Sequence, residues 1–138
     1  PLQPLGFLRG GMAAEAHGPA FERVATVEQL DARLAAAAAA GKPVMLDFYA
    51  DWCVSCKEME RFTFADPKVA ARMNQLLLLQ ADVTANSEAD KALLKRFGLF
   101  GPPGIIFFDA KGKELLDLRV VGFQPVDKFL PTLERAAR

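Results

Sequence analysis

Cysteine and histidine are scarce in this chain, which has two cysteines and one histidine among 138 residues. Three such residues fall short of the four ligands that a structural zinc site normally needs. His17 also stands far from Cys53 and Cys56, in a Gly/Pro/Ala-rich stretch, which weighs against a Cys-Cys-His metal site. An excess of charge is absent too: Lys plus Arg and Asp plus Glu are both 17, for a formal net charge of zero. That removes the usual electrostatic argument for nucleic acid or an anionic membrane as partner. No apolar run reaches the roughly 18 residues of a membrane span, and the blandest stretch, Ala35 to Ala40, is short and weakly hydrophobic. The chain opens at Pro1 without Met, and no charged segment precedes an apolar core. It therefore reads as a fragment or a processed form, with any membrane or export segment outside it. No internal repeat is visible.

What remains is the composition of one globular domain, 51% hydrophobic and 25% charged. Residues 1–20 hold prolines and glycines without sustained periodicity and read as a linker or flexible arm, although Leu5, Phe7 and Leu8 are candidates for docking. The domain is expected over 21–138. "FERVA" alternates as a short strand. Thr26 can cap a helix running to about Ala40, with Gln29 as capping-box partner, Leu30 and Leu34 on one face and Gly41 as the stop. "PVMLDFYA" and "LLLLQADV" have the length and apolarity of buried strands. Between them, "CKEMERFTF" is helix-compatible, and Asp66-Pro67 caps a further helix to about Met73.

Asn86 or Ser87 can cap a helix through Phe97. "GIIFFD" and "ELLDLRVV", joined by the turn "AKGK", predict a hairpin over 104–121. A last helix opens at Gln124-Pro125 with Val126, Phe129, Leu130 and Leu133 inward and Pro131 as a possible kink. The order β-α-β-α-β-α-β-β-α predicts an α/β fold. Its sheet should be mostly parallel with an antiparallel edge and carry helices on both faces.

The chemistry concentrates in "DWCVSCKE", residues 51–58. Cys53 follows a buried strand and opens a helix, at the strand end where α/β sites form. Free N–H groups and the positive dipole end at a helix start stabilise a thiolate, the reactive form of cysteine. Cys56 comes about one turn later, within disulfide reach. This predicts Cys53 at an exposed helix tip as the attacking nucleophile, with Cys56 beneath it as the resolving thiol. A bridge over so short a loop contributes little as a structural staple.

Asp47 interrupts an apolar strand. It is either a paired structural acid, a solvent-facing residue at a sheet end, or a carboxylate placed to take or relay the Cys56 proton. Ionised Asp47 or Glu60 would oppose thiolate formation by like charge, giving a thiol less acidic than that of a strong oxidant. Glu60 alone is equally readable as a solvated helix charge, and Lys57 as a surface residue or, alternatively, as one that tunes the pair. Trp52 is open between shielding the disulfide, docking a partner and packing in the core. "GPPG", 101–104, reads as a turn at the same sheet edge.

"VMLDFYADWCVSCKE" resembles the active site of the thioredoxin superfamily. With "TFADPKVA", "LLQADVTAN" and "FFDAKGKE", the chain from about Phe21 onward is similar to the C-terminal thioredoxin-like domains of the DsbD family of bacterial thiol:disulfide interchange proteins. The Val54-Ser55 filling departs from the Gly-Pro usual in thioredoxin itself.

The resemblance implies a thioredoxin fold with a mixed central sheet flanked by helices. It implies Cys53 and Cys56 as redox cysteines, Asp47 and Glu60 as acids that tune their titration, and Pro103 as the cis-proline beside the disulfide. Gly104 stands where the family often has Thr. The implied function is a cofactor-free electron relay at the periplasmic face of the inner membrane. Electrons would pass through mixed disulfides from a transmembrane domain to an N-terminal periplasmic domain of the same protein. Two rivals remain: another periplasmic thioredoxin-like reductase, such as one serving cytochrome c maturation, and a CxxC metal-binding module.

Overall fold

The computed structural model describes residues 18–137. The arm assigned to 1–20, including Leu5, Phe7, Leu8 and His17, lies outside the described residues apart from its last three. The elements in chain order are β1 (Glu22–Arg23), α1 (Val27–Ala39), β2 (Val44–Tyr49) and α2 (Val54–Glu58), which continues as a wide π turn, Met59–Phe64. Then come α3 (Pro67–Met73), β3 (Leu77–Asp82), α4 (Glu88–Arg96), β4 (Gly104–Phe108), β5 (Val120–Val121) and α5 (Val126–Ala136).

The helix starts follow local chemistry. Thr26 Oγ1 accepts the Gln29 N–H, while the Gln29 side chain reaches back to the Ala25 N–H, one residue earlier than a standard capping box. Asp66 accepts from the Lys68 and Val69 N–H groups with Pro67 at the first helical position. Ser87, rather than Asn86, caps α4 in a reciprocal box with Asp90. Gly41 ends α1 at a φ of 68°, a conformation that costs other residues more.

The sheet order is β1-β3-β2-β4-β5, with β2 in the middle. Every residue of β2 is buried because both faces are covered. Val44, Leu46 and Phe48 pack in one cluster with Leu30 and Leu34 of α1, Leu93 and Leu94 of α4, and Phe97 just after it. Met45 packs on the other side with Met59, Phe64, Val69, Met73, Phe129 and Leu133. Period-two alternation along one strand thus feeds two cores.

Two expectations need correction. The antiparallel member is not confined to an edge: β4 lies between β2 and β5 and runs antiparallel to both. The segment after α4 delivers Gly104 opposite Phe48, at the carboxyl end of β2, so β4 must run back down the sheet. The expected second arm of the hairpin, 114–121, is also not one strand. Glu114 makes a single bridge to Phe108, residues 116–118 form a 3-10 turn, and pairing resumes only at β5. That turn buries Leu118 and leaves Leu116 exposed. It is closed by Arg119, which donates to both Glu114 carboxylate oxygens and to the Phe97 carbonyl.

Phe129 is wholly buried, its ring 5.7 Å from that of Phe64 and 6.4 Å from that of Phe107. Phe129→Ala should therefore cost about 3–5 kcal/mol in urea unfolding, as expected for an aromatic truncated in a closed core. A loss below about 1 kcal/mol would mean that α5 is not held through this ring.

Candidate active site

The site begins where β2 ends. After Tyr49 the chain turns through Ala50–Trp52, and Cys53 serves as the N-cap of α2 in extended conformation. Its side chain does the capping: the Cys56 N–H donates to Cys53 Sγ over 3.1 Å. An N–H aimed at this sulfur favours negative charge on it. The first helical bond runs from the Lys57 N–H to the Cys53 carbonyl, 3.2 Å. Cys53 and Cys56 are joined in a disulfide, with Cα atoms 5.3 Å apart. Cys56 Sγ lies 3.7 Å from the Phe48 carbonyl oxygen. The expected exposed position of Cys53 is corrected: it is 6% accessible, hardly more than Cys56 at 4%, because it packs into the apolar cluster with Phe48, Tyr49 and Ala50.

Register brings the proline loop to this sulfur pair. Gly104 pairs with Phe48, whose carbonyl faces Cys56, so Pro103 is carried to the same edge. The Pro102–Pro103 peptide is cis. A Cβ at Gly104 would meet Leu99 Cδ1 at 2.9 Å, so a side chain there would need the tip of Leu99 to move aside.

Asp47 is 6% exposed and cross-strand to Gln80, whose amide donates to Asp47 Oδ2 over 3.0 Å. Burial pushes its carboxyl up to about 7; the Gln80 bond opposes the shift and the charge of Glu60 adds to it. Glu60, half-buried on the wide turn, thus couples to Asp47 rather than standing as a solvated charge alone. The turn itself carries no periodicity signal in the sequence. Its width places Met59 and Thr63 on the 124 loop, where the Thr63 hydroxyl donates to the Gln124 carbonyl over 2.6 Å.

Trp52 is not a core residue, being 59% exposed. It is held by a neighbour that sequence reasoning missed. The Trp52 indole N–H donates to the Thr84 carbonyl (3.0 Å), and the Asp51 N–H donates to Thr84 Oγ1 (2.8 Å). The Thr84 N–H and hydroxyl both donate to Asp82 Oδ1, and Arg23 engages Asp82 Oδ2 at 3.0 Å. The loop after β3 thereby clamps the loop before Cys53. Tyr49, Lys57 and Asp51 form a second such link: Lys57 donates to the Tyr49 hydroxyl, which donates to Asp51 Oδ1 over 3.0 Å. Among the described residues no group of three or more His, Cys, Asp and Glu is placed to hold a metal ion.

A family model described as a thioredoxin-like domain matches residues 30–137. The chain is 57% identical over 139 residues to the thiol:disulfide interchange protein DsbD of Ralstonia nicotianae, covering 99% of this chain and 23% of that protein. It is 52% identical to the protein of that name from Cronobacter sakazakii, covering 100% of this chain and 24% of that protein. It thus spans about a quarter of the length of these relatives. Among solved structures, the oxidised C-terminal domain of Neisseria meningitidis DsbD is similar, with a TM-score of 0.72 and 40% identity over 83% of this chain and 99% of that one. A thioredoxin from Thermus thermophilus matches with a TM-score of 0.64 and 25% identity, covering 83% of this chain and 85% of that one.

Two predictions follow from the site. Asp47 ionises in the folded chain only near pH 7, against an ordinary 3.8. Between those values the folded chain holds a proton that the unfolded chain has lost. This contribution to stability is therefore complete below about pH 4 and is lost as pH rises through about 7. Asp47→Asn should be the more stable protein at pH 8, by up to about 4 kcal/mol, and nearly level with the parent at pH 4. Parallel urea midpoints across that range would refute the assignment. Separately, Thr84→Val should cost about 1–2 kcal/mol and raise the mobility of the single tryptophan, read by fluorescence anisotropy.

Proposed function

Because this chain belongs to the thioredoxin-like domain family, and within it with the C-terminal domains of DsbD, we propose that it is a thiol–disulfide oxidoreductase relaying electrons at the periplasmic face of the bacterial inner membrane. The observation that carries the reading is the Cys53–Cys56 disulfide at a helix start, with the Cys56 N–H directed at Cys53 Sγ. In the reduced state the Cys53 thiolate attacks a partner disulfide. One partner sulfur leaves as a thiolate, and a mixed disulfide forms. Cys56, deprotonated, then attacks Cys53 Sγ. The second partner sulfur leaves, the Cys53–Cys56 bond is restored, and the partner carries away two electrons and takes up two protons. The reverse sequence recharges the pair. No cofactor takes part.

Each remaining residue has a role in this scheme. Asp47, with its carboxyl near 7, can both accept and release a proton at neutral pH, which suits a base for the Cys56 thiol. Once the bond is reduced, the Phe48 carbonyl is placed to accept from the Cys56 S–H. Negative charge on Asp47 and Glu60 disfavours the thiolate and so favours giving electrons away over taking them. Trp52, Val54, Phe100, Val121 and Phe123 are exposed apolar side chains. They lie in or next to the CxxC turn, in the loop leading to Pro103, or on and just after the strand that pairs with Gly104. They fit a docking rim, with Pro103 at its edge. The donor would be a transmembrane domain and the acceptor an N-terminal domain, both of the same protein.

A Cys56→Ser variant should accumulate mixed disulfides on Cys53, and added DsbD N-terminal domain should be trapped at a 1:1 ratio, seen on non-reducing gels. If the periplasmic fraction yields only apocytochrome c on Cys53 and the N-terminal domain is not trapped, the relay is wrong and a reductase for cytochrome maturation replaces it.

A further inference from the structure

Lys57 lies directly after Cys56, on the exposed side of α2, where a lysine normally leaves its ammonium in water. Here the side chain folds back. Its ammonium donates to the Tyr49 hydroxyl and sits 5.0 Å from the centroid of the Tyr49 ring. Tyr49 is 6% exposed and belongs to the same apolar cluster as both cysteines. The chain of bonds has one direction. Lysine can only donate, the phenol accepts from it and donates onward, and the Asp51 carboxylate only accepts. The hydrogen bond to Tyr49 raises the Lys57 ammonium above its ordinary value, with smaller contributions from Tyr49, Glu60 and Asp51. Burial raises the Tyr49 phenol. Lys57 is therefore a permanent cation at neutral pH rather than a proton donor.

Besides Tyr49, the ionisable groups coupled to this cation are the carboxylates Asp51, on the loop after β2, and Glu60, on the wide turn; Glu60 also couples to Asp47 on β2. Glu60 acts on both Asp47 and Lys57, so the cation belongs to the same electrostatic group as the buried acid. The backbone of Lys57 is tied to Cys53 by its N–H and its side chain to Tyr49, which fixes the charge relative to the sulfur pair.

We infer that Lys57, pinned by the Tyr49 hydroxyl, is a positioning residue that offsets Glu60 and Asp51 and keeps Cys53 able to carry the negative charge needed for attack. This rests on the proposed thiol–disulfide exchange, and deepens it by naming the cation that sets its rate against pH.

The test is the pH profile of Cys53 alkylation by iodoacetamide in the reduced chain, together with the equilibrium against glutathione. Lys57→Met should move the profile to higher pH and slow alkylation at pH 7 by roughly three- to tenfold. Lys57→Arg, which keeps the charge, should restore most of the rate. Tyr49→Phe, which keeps the charge but frees it, should fall between. Circular dichroism and thermal midpoints confirm that each variant is folded. Superimposable profiles for Lys57→Met and the parent overturn the inference. So does a shift that Arg fails to rescue, which would mark a packing effect. Neither readout needs a protein partner. A Lys57-dependent profile in a chain that reduces no protein disulfide would sink the relay and leave this inference standing.

Discussion

A strand with no solvent-facing side determines where the dithiol sits. β2 is paired on both edges and buried on both faces, so neither its register nor its length can drift without exposing two cores at once. Its carboxyl end is therefore a fixed point. Cys53 and Cys56 are placed from it on one side, by the turn through Ala50–Trp52. The proline loop is placed from it on the other, by the pairing of Phe48 with Gly104. The same strand carries Asp47, Phe48 and Tyr49 in succession: a buried acid, a carbonyl against Cys56 Sγ and a phenol holding Lys57. By the pleat Asp47 and Tyr49 share one side, while Phe48 contributes through its backbone carbonyl.

Charge is arranged around the sulfur pair in opposing directions. Under the proposed exchange, the helix start and the Cys56 N–H favour a thiolate on Cys53, and ionised Asp47 and Glu60 would oppose it. A carboxyl raised to about 7 by burial changes this balance within the physiological range, because Asp47 is neutral on one side of that value and anionic on the other. Coupled groups of this kind titrate as a set. On the proposed reading, the behaviour of Cys53 would therefore belong to the group of carboxylates, lysine and thiols rather than to any one member.

Much of this was legible in the chain because it is written in local chemistry. The caps at Thr26, Asp66 and Ser87 need only residues within three positions, and the apolar runs of β2, β3 and β4 announce burial by themselves. Cys53 at a strand-to-helix junction and Asp47 inside an apolar run stand out for the same reason. What stayed hidden depends on partners distant in sequence. Thr84 meets Asp51 and Trp52 across 33 and 32 positions, and nothing in "ADVTAN" marks it. The break in the last hairpin depends on Arg119 reaching the Phe97 carbonyl, 22 positions away. The cover over Cys53 is likewise a product of packing, since spacing alone gives a helix tip and tips are usually open.

That cover bears on how exchange is kept selective. A cysteine that is 6% exposed as a residue presents little area to small oxidants or to thiols that meet it by chance. Trp52, by contrast, stands 59% exposed on a loop clamped through Thr84 and Asp82 to Arg23 of the edge strand. An indole fixed in this way offers a partner apolar area at little conformational cost. Under the proposed relay, a protein that docks on this rim delivers its disulfide along one approach, while a small molecule gains nothing from the rim and meets a largely covered Cys53. A partly covered nucleophile beside a rigid exposed aromatic thus gives selectivity through docking without requiring a more acidic thiol. That is consistent with the proposed reading, in which Asp47 and Glu60 would hold thiolate formation back.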